Sequence, residues 1–336
     1  MMKRPYLLTL CLLILAFVFS VALGAIYIPP GTALRIGLER AFSWGAEGGW
    51  PDYFETILVE IRLPHAILVA LTGAALAGSG AAYQGLFRNP LADPYLIGVA
   101  SGAGLGAVFS MAMPWINQYL IPAGAFLGGL ITVLIVYSLA RVGSMVPLTT
   151  LILAGVAVGS FTTAMTSFLM LHSNRQVQHA LSFLLGGSPV AGWDPVRIAV
   201  PYMLCGFILL LLTGHALNVL QFGEEQAQQL GLPVERVKLF VIVASSLTAA
   251  AAVSFSGVIG FIGLIVPHLA RMFWGGDYRL LIPVSMLGGG AVLLIADIIA
   301  RVILAPQTLP VGIVTALFGA PFFLWILRRA KQEVFW

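Results

Sequence analysis

The segment LNVLQFGEEQAQQLGLPVERVK, which spans Leu217–Lys238, is polar in a chain that is apolar on both sides of it. Residues 224–229 are polar apart from Ala227, and Gly231 followed by Pro233 is a typical helix end. We therefore predict a short polar helix and a second short helix from Pro233. Because lipid cannot satisfy polar side chains, this pair should lie at a membrane surface. Two interpretations stay open: a solvated loop, as charge runs usually are, or a docking surface for a soluble subunit.

The composition of the whole chain indicates a polytopic membrane protein. Of 336 residues, 60% are hydrophobic and only 9% are charged, whereas soluble domains carry about 25% charged residues. The 37 glycines are typical of closely packed membrane helices. Cys11 and Cys205 fall in separate apolar stretches, so we expect neither a disulfide nor a metal site. The formal net charge of +4 is scattered and indicates no nucleic-acid partner. A soluble enzyme is excluded.

Hydropathy predicts an all-α fold of about ten transmembrane helices in a single domain, residues 1–336. The apolar windows fall at 6–27, 64–86, 94–113, 120–140, 148–171, 196–216, 238–256, 258–273, 281–304 and 309–328. The first window is longer than the ~7–15 apolar residues of a cleaved signal peptide, so we predict that it is retained. Residues 174–195 are predicted to form a short surface helix and loop. Ten spans place both termini on the same side.

The distribution of Lys and Arg predicts the orientation of these spans, because cytoplasmic loops are enriched in both. With both termini in the cytoplasm of a cell membrane, eleven basic residues lie inside: Lys3, Arg4, Arg88, Arg141, Arg236, Lys238, Arg271, Arg279, Arg328, Arg329 and Lys331. Six lie outside: Arg35, Arg40, Arg62, Arg175, Arg197 and Arg301. This orientation places the polar segment 217–238 in the cytoplasm.

Small residues at four-residue spacing mark predicted helix contacts. They recur at Gly73, Ala77 and Ala81 and again at Gly98, Gly102 and Gly106, and so form two helix faces that allow close approach. Between these faces the string RNPLADP, residues 88–94, contains two prolines that end the helix. Taken alone, this string is most simply a tight turn between helices.

The sequence also contains a second span interrupted by glycine and proline, and it has few groups that could carry out catalysis. The string GVIGFIGLIVPHLAR, residues 257–271, carries three glycines and Pro267, and a lone histidine such as His268 is more often a packed residue than a ligand. The sequence has no G-x-x-x-x-G-K-[ST] phosphate loop. Asp297 is the main candidate for an intramembrane carboxylate, and Arg301 one turn later can pair with it. A path with so few carboxylates would be largely apolar and lined by small residues, which suits a large substrate better than a dehydrated ion.

These strings, together with RLPH at 62–65 and ADIIAR at 296–301, resemble the permease family of binding-protein-dependent ATP-binding cassette (ABC) importers for iron-siderophores, haem and vitamin B12, the type II importers. The resemblance covers about residues 57–327. It implies the type II ABC importer permease fold and a homodimer of this chain. It also implies two ATP-binding cassette subunits on the cytoplasmic face and an extracytoplasmic substrate-binding protein. ATP hydrolysis would then lie on a separate subunit, with no enzyme activity or cofactor in this chain.

The resemblance also implies roles for three sets of residues, all of which lie near the ends of predicted spans. The polar segment resembles an ATPase-coupling loop, with Gly223, Glu224, Glu225, Gln228, Leu230 and Gly231. The expected binding-protein contacts are Arg62, His65 and Arg301, with His65 at a position where the family usually has arginine. The expected translocation gate is Asn89, Leu91, Leu148 and Thr149.

The function we expect is that of the membrane-spanning permease of an ATP-driven importer of a metal chelate. Ferric siderophore or haem is the expected cargo, and cobalamin is the alternative. The rival from another class is an ion-coupled secondary transporter, which the scarcity of intramembrane carboxylates argues against.

Overall fold

The computed structural model describes residues 4–24, 26, 28–42, 49–113, 117, 120–172, 177–188 and 190–334, and within these ranges the regular structure is helical. The helices are α1 (Pro5–Ala22), α2 (Pro30–Phe42), α3 (Asp52–Thr56), α4 (Leu63–Leu86), α5 (Val99–Ala112), α6 (Ile121–Ala140), α7 (Leu148–His172), α8 (Val177–Leu184), α9 (Trp193–Leu220), α10 (Glu224–Gln229), α11 (Val234–Ser256), α12 (Ile262–Trp274), α13 (Tyr278–Val302) and α14 (Val311–Val334). A π-helical segment, Ile57–Arg62, joins α3 to α4, and a 3-10 turn, Pro94–Ile97, precedes α5.

The predicted spans correspond to helices of the structure. In the described part of the chain, seven helices are long and apolar enough to cross a membrane, and three shorter apolar helices are Val99–Ala112, Ile262–Trp274 and Val311–Ile326. These ten helices match the ten predicted windows one for one. The prediction of an all-α polytopic fold is therefore confirmed.

Three local predictions need correction or completion. The helix after Pro233 is not short, because it continues without a break as α11 to Ser256. Residues 30–42, for which we predicted no element, form α2. Helix α8 within the predicted surface segment buries Ala180 and Phe183 in the core, so it is only partly a surface helix; residues 174–176 and 189 of that segment lie outside the described residues.

Helix α4 is the centre of the bundle, and small residues set its distance from its neighbours. It packs against α9, α11, α12 and α13. A Cβ added at Gly73 would lie 2.2 Å from the carbonyl oxygen of Gly289 in α13, and one at Gly80 would lie 1.9 Å from that of Gly263 in α12. Both distances are far below a normal carbon–oxygen contact, so these backbones touch directly.

The second predicted small-residue face joins α5 to α6. A Cβ at Gly102 would lie 2.5 Å from the Gly128 carbonyl oxygen, and one at Gly106 would lie 2.1 Å from that of Gly124. Such contacts let helix backbones approach closely where lipid provides no hydrophobic drive for association. The four-residue spacing therefore predicted that this face of α5 approaches another helix closely, and the structure identifies that helix as α6.

The interrupted span at 257–271 begins with a break, residues 257–261, that separates α11 from α12. Gly257 ends α11 with φ +74°, and Phe261 takes φ +70° just before α12 begins. A Cβ at Gly257 would meet the Phe183 carbonyl oxygen of α8 at 2.4 Å, and the Val258 N–H donates to that same oxygen at 3.0 Å. Both the positive φ angle and the lack of room for a Cβ require glycine at position 257. Helix α8 thus supplies a hydrogen-bond acceptor to the break between α11 and α12.

Candidate functional site

The predicted functional residues lie at the two ends of α4. Helix α4 has 24 residues, which corresponds to about 36 Å at the α-helical rise. We call the end formed by Arg62, His65 and Arg301 the arginine end. We call the other, where the Gln221 amide donates to the Gly85 carbonyl at 3.1 Å and α10 follows, the α10 end.

Helix α10 presents a mostly polar, exposed face. Gly223, with φ +106°, starts the helix, and Gly231, with φ +85°, follows its end, as the sequence predicted. Glu225, Gln228 and Leu230 are exposed, whereas Ala227 is fully buried against the core. Glu224 is instead partly buried, and its Oε2 accepts from the Lys238 ammonium at 3.0 Å.

Exposed apolar side chains flank this polar helix. Leu230 is 69% exposed, and Phe222, just before the helix, is 66% exposed. Large apolar side chains next to a polar surface helix are typical of protein contacts. Sequence reasoning included Leu230 but missed Phe222, because a phenylalanine next to a membrane span is expected to face lipid.

The four predicted gate residues occupy two separate segments at the α10 end. The Asn89 side chain accepts from the Leu91 N–H at 2.9 Å and so closes the turn after α4. Leu148 and Thr149 begin α7. Among the described residues, no hydrogen bond joins one segment to the other, and the four-residue gate stays a prediction.

At the arginine end, α4 and α13 bring together the residues predicted from sequence. The Asp297 carboxylate accepts from His65 Nε2 at 2.9 Å and from Arg301 Nε at 2.9 Å, which confirms the predicted Asp297–Arg301 pair. His65 and Asp297 each lie eight residues from the Gly73–Gly289 contact, on antiparallel helices. The glycine contact therefore fixes this pairing.

Both arginines are held mainly by backbone carbonyls of the last turn of α1 and of the residues just after it. Arg62 is 7% exposed and donates to the carbonyls of Val21, Ala22 and Ile26. Arg301 donates to the Leu23 carbonyl at 3.0 Å and to the Ser20 hydroxyl at 2.8 Å. We predicted outward-facing arginines; the structure uses most of their donors inside the fold.

A cavity of about 410 Å³ opens between these residues and the loop before α9. Arg62, His65 and Arg301 all line it. The side chain of His65 is 37% exposed, and it is the most accessible of the three charged or titratable groups there. The three residues thus share one concave surface, as their common assignment implies.

A larger open groove, of about 750 Å³, runs between the turn before α5 and one face of α7. Its α7 side is formed mostly by small and hydroxyl residues, among them Gly155, Gly159, Thr163 and Ser167 at four-residue spacing. Most of α7 is exposed in the single chain, with 17% of its most apolar window buried. Sequence reasoning missed this face, although its spacing was readable in the same way as that of α4.

Asp93 lies at one edge of this groove, in the turn between α4 and α5. Its carboxylate accepts from the Tyr95 N–H at 2.8 Å and caps the 3-10 turn. Burial raises the pKa of Asp93 to about 6, against the lowering effect of that hydrogen bond. The turn therefore holds a carboxyl group that changes charge near neutral pH.

The chain is similar to known permeases over nearly its whole length. The model of the FecCD transport family matches residues 12–329. The cobalamin import system permease protein BtuC of Halobacterium salinarum is 45% identical over 89% of this chain and 79% of its own length. The hemin transport system permease protein HmuU of Yersinia pestis is 41% identical over 82% of this chain and 84% of its own.

A solved structure shares the fold. It is described as an inward-facing ABC transporter assigned to the metal-chelate type, and it superposes with a TM-score of 0.82 at 28% identity over 97% of this chain and 98% of that one. The family match, the two relatives and the superposed structure agree. The chain therefore belongs to the FecCD transport family and is a multi-pass membrane permease of the ABC importer type.

Proposed function

We propose that this chain forms the translocation path of an ATP-driven importer of a metal chelate, together with two ATP-binding cassette subunits and an extracytoplasmic substrate-binding protein. The observation that carries the proposal is α10, an exposed polar helix held at one end of a membrane bundle. The relatives named above, which transport cobalamin and hemin, support the cargo class. The chain contributes the path, and the energy comes from the ATPase partners.

The α10 end is the proposed contact with the ATPase. Its exposed face combines Glu225 and Gln228 with the apolar Phe222 and Leu230. An apolar centre with a polar rim is the usual anatomy of a specific protein interface. This face lies in the cytoplasm in the proposed orientation, with both termini on the same side.

The arginine end is the proposed contact with the binding protein. Because Arg62 and Arg301 already donate to carbonyls, they would act mainly through their charge, which steers association more than it adds affinity. His65 has the most accessible side chain of the three. We therefore expect docking to weaken at high salt.

Two copies of the chain are proposed to meet across the α7 groove. Helix α7 carries a face of glycine and hydroxyl residues that a single chain leaves open. With a second copy opposite, this face would line a path between protomers, and the gate segments at Asn89 and Leu148 would close its cytoplasmic end. The homodimer is tested by the mass of the purified complex.

The deciding experiment is uptake into proteoliposomes that contain this chain with its ATPase and binding protein. Labelled cobalamin, haem and a ferric siderophore are offered side by side, with cobalamin first because of the 45% identity to a cobalamin permease. Uptake of one cargo only when all components and ATP are present supports the proposal. Uptake without the ATPase, driven by an ion gradient, would instead establish a secondary transporter.

A further inference from the structure

Lys238 is a buried lysine close to the α10 end, in a chain that buries few charged groups. It lies in the first turns of α11 and is 3% exposed. A buried ammonium is costly unless it is paired and hydrogen-bonded. Its position among polar loop residues predicted a solvated side chain, and the structure places it inside.

Three oxygen atoms surround the Lys238 ammonium, and they come from three different segments. It donates to Glu224 Oε2 in α10 at 3.0 Å and to the Val146 carbonyl in the α6–α7 turn at 3.0 Å. It also forms an ion pair with Glu235 Oε1 in α11 at 2.6 Å. The ammonium therefore makes two hydrogen bonds and one further charge contact, so its buried charge is compensated.

The turn before α7 is held at its backbone from both sides. The Val146 N–H donates to Glu235 Oε2 at 3.1 Å, while the Val146 carbonyl accepts from Lys238. Val146 itself is 2% exposed. Two residues later α7 begins at Leu148, which leads into the helix that lines the groove. A backbone held at both its donor and its acceptor moves with the residues that hold it.

We propose that Lys238 joins α10 to the start of α7, so that a displacement of the docking helix moves the gate-bearing end of α7 with it. This inference rests on the proposed function, because it names the link between ATPase contact and gate. Lys238 is a positioning residue: it touches neither cargo nor ATPase. Coupling of this kind between two sites is typically worth about five- to 150-fold.

The test compares Lys238→Met with the wild type in the reconstituted importer. Met keeps the aliphatic length that fills the site, and Glu224 is partly exposed and can turn to solvent. We expect ATP hydrolysis within about twofold of wild type and cargo taken up per ATP reduced about tenfold. Arg197→Met is the charge-matched control, since Arg197 is 74% exposed on α9 and pairs with the equally exposed Asp194.

A double-mutant cycle separates the link from direct docking by Glu224. If Glu224 acts through Lys238, Glu224→Gln in the Lys238→Met background causes no further loss; if it acts only on the ATPase, the two losses multiply. Multiplying losses, or wild-type uptake per ATP in Lys238→Met, would overturn the inference. A wild-type complex without ATP-dependent uptake would instead refute the proposed function.

A distance measurement gives a readout that a purely stabilising role would not change. Spin labels at Gln226 on α10 and Ser144 in the α6–α7 turn, both exposed, report whether the two segments move together. In the wild type we expect the same distance with and without ATP. In Lys238→Met we expect a broader or ATP-dependent distance, and an unchanged distribution would overturn the link.

Discussion

Gly73→Ala is the most direct test of how the bundle builds its arginine end. The added Cβ would lie 2.2 Å from the Gly289 carbonyl oxygen and 2.8 Å from Leu293 Cβ, where ordinary contact begins near 3.4 Å. Because the nearest atom belongs to the backbone, no rotamer change relieves the overlap. Helices α4 and α13 must separate by about 1 Å, at the cost of contacts along their whole interface.

The expected magnitude follows from two opposing effects. Overpacking in a rigid site costs about 3 kcal/mol, and the better helix propensity of alanine returns about 1 kcal/mol. The net loss of about 2 kcal/mol corresponds to a fall of about 3 °C in the unfolding midpoint for a chain of this size. Thermal unfolding in detergent measures this shift.

The matched control is Gly37→Ala in α2. Gly37 is exposed and has no atom within 4 Å of an added Cβ, so only the propensity gain applies and the midpoint should stay or rise. In Gly73→Ala, the separation of α4 from α13 should also lengthen the 2.9 Å hydrogen bond between His65 and Asp297. A Gly73→Ala protein as stable as the Gly37→Ala protein would refute the close-contact argument.

Three further predictions concern the turns at the α10 end. Because burial raises the pKa of Asp93 to about 6, the folded chain keeps this proton to a higher pH than the unfolded chain does, and wild-type stability should fall as pH rises from about 4 to 6. Asp93→Asn should lack this fall and be more stable at pH 7 by about 3 kcal/mol, as thermal unfolding against pH shows. Asp277→Ala should lose about 1 kcal/mol in the same assay, because Asp277 caps α13 and accepts from Asn218 at 2.6 Å. Leu230→Asp should weaken co-purification with the ATPase about tenfold, since Leu230 is 69% exposed on the docking face; unchanged binding would remove Leu230 from the interface.

The sequence predicted the spans because lipid imposes a simple rule on them. A run of about twenty apolar residues must be helical, so hydropathy alone located every membrane-length helix. The small-residue spacing at Gly73 and at Gly102 predicted which faces approach closely, although not which partners they meet. Partners depend on tertiary contacts between residues far apart in the chain, such as Gly73 and Gly289.

Charged residues were predicted less well, for a physical reason. A charge in a polar segment is normally solvated, so nothing in the local sequence distinguishes Lys238, which is buried, from Arg236, which is exposed. Arg62 illustrates the same limit, because its partners are backbone carbonyls from Val21 and Ala22. Every residue has a backbone carbonyl, so a sequence cannot show that an arginine is hydrogen-bonded to a particular one.

The hydroxyl groups of the groove fit a path along which cargo moves without being held. Ser160, Thr163 and Ser167 each donate to a carbonyl of the preceding turn, at 2.8 Å, 2.8 Å and 3.0 Å. Their donors are therefore occupied within α7, and these three hydroxyls present only weak acceptors to the groove. A surface with few free donors binds a polar chelate weakly, because desolvation of the cargo is not repaid by new hydrogen bonds. Selection of the cargo then has to occur before it enters the groove, which is the task of a separate binding protein in the proposed importer.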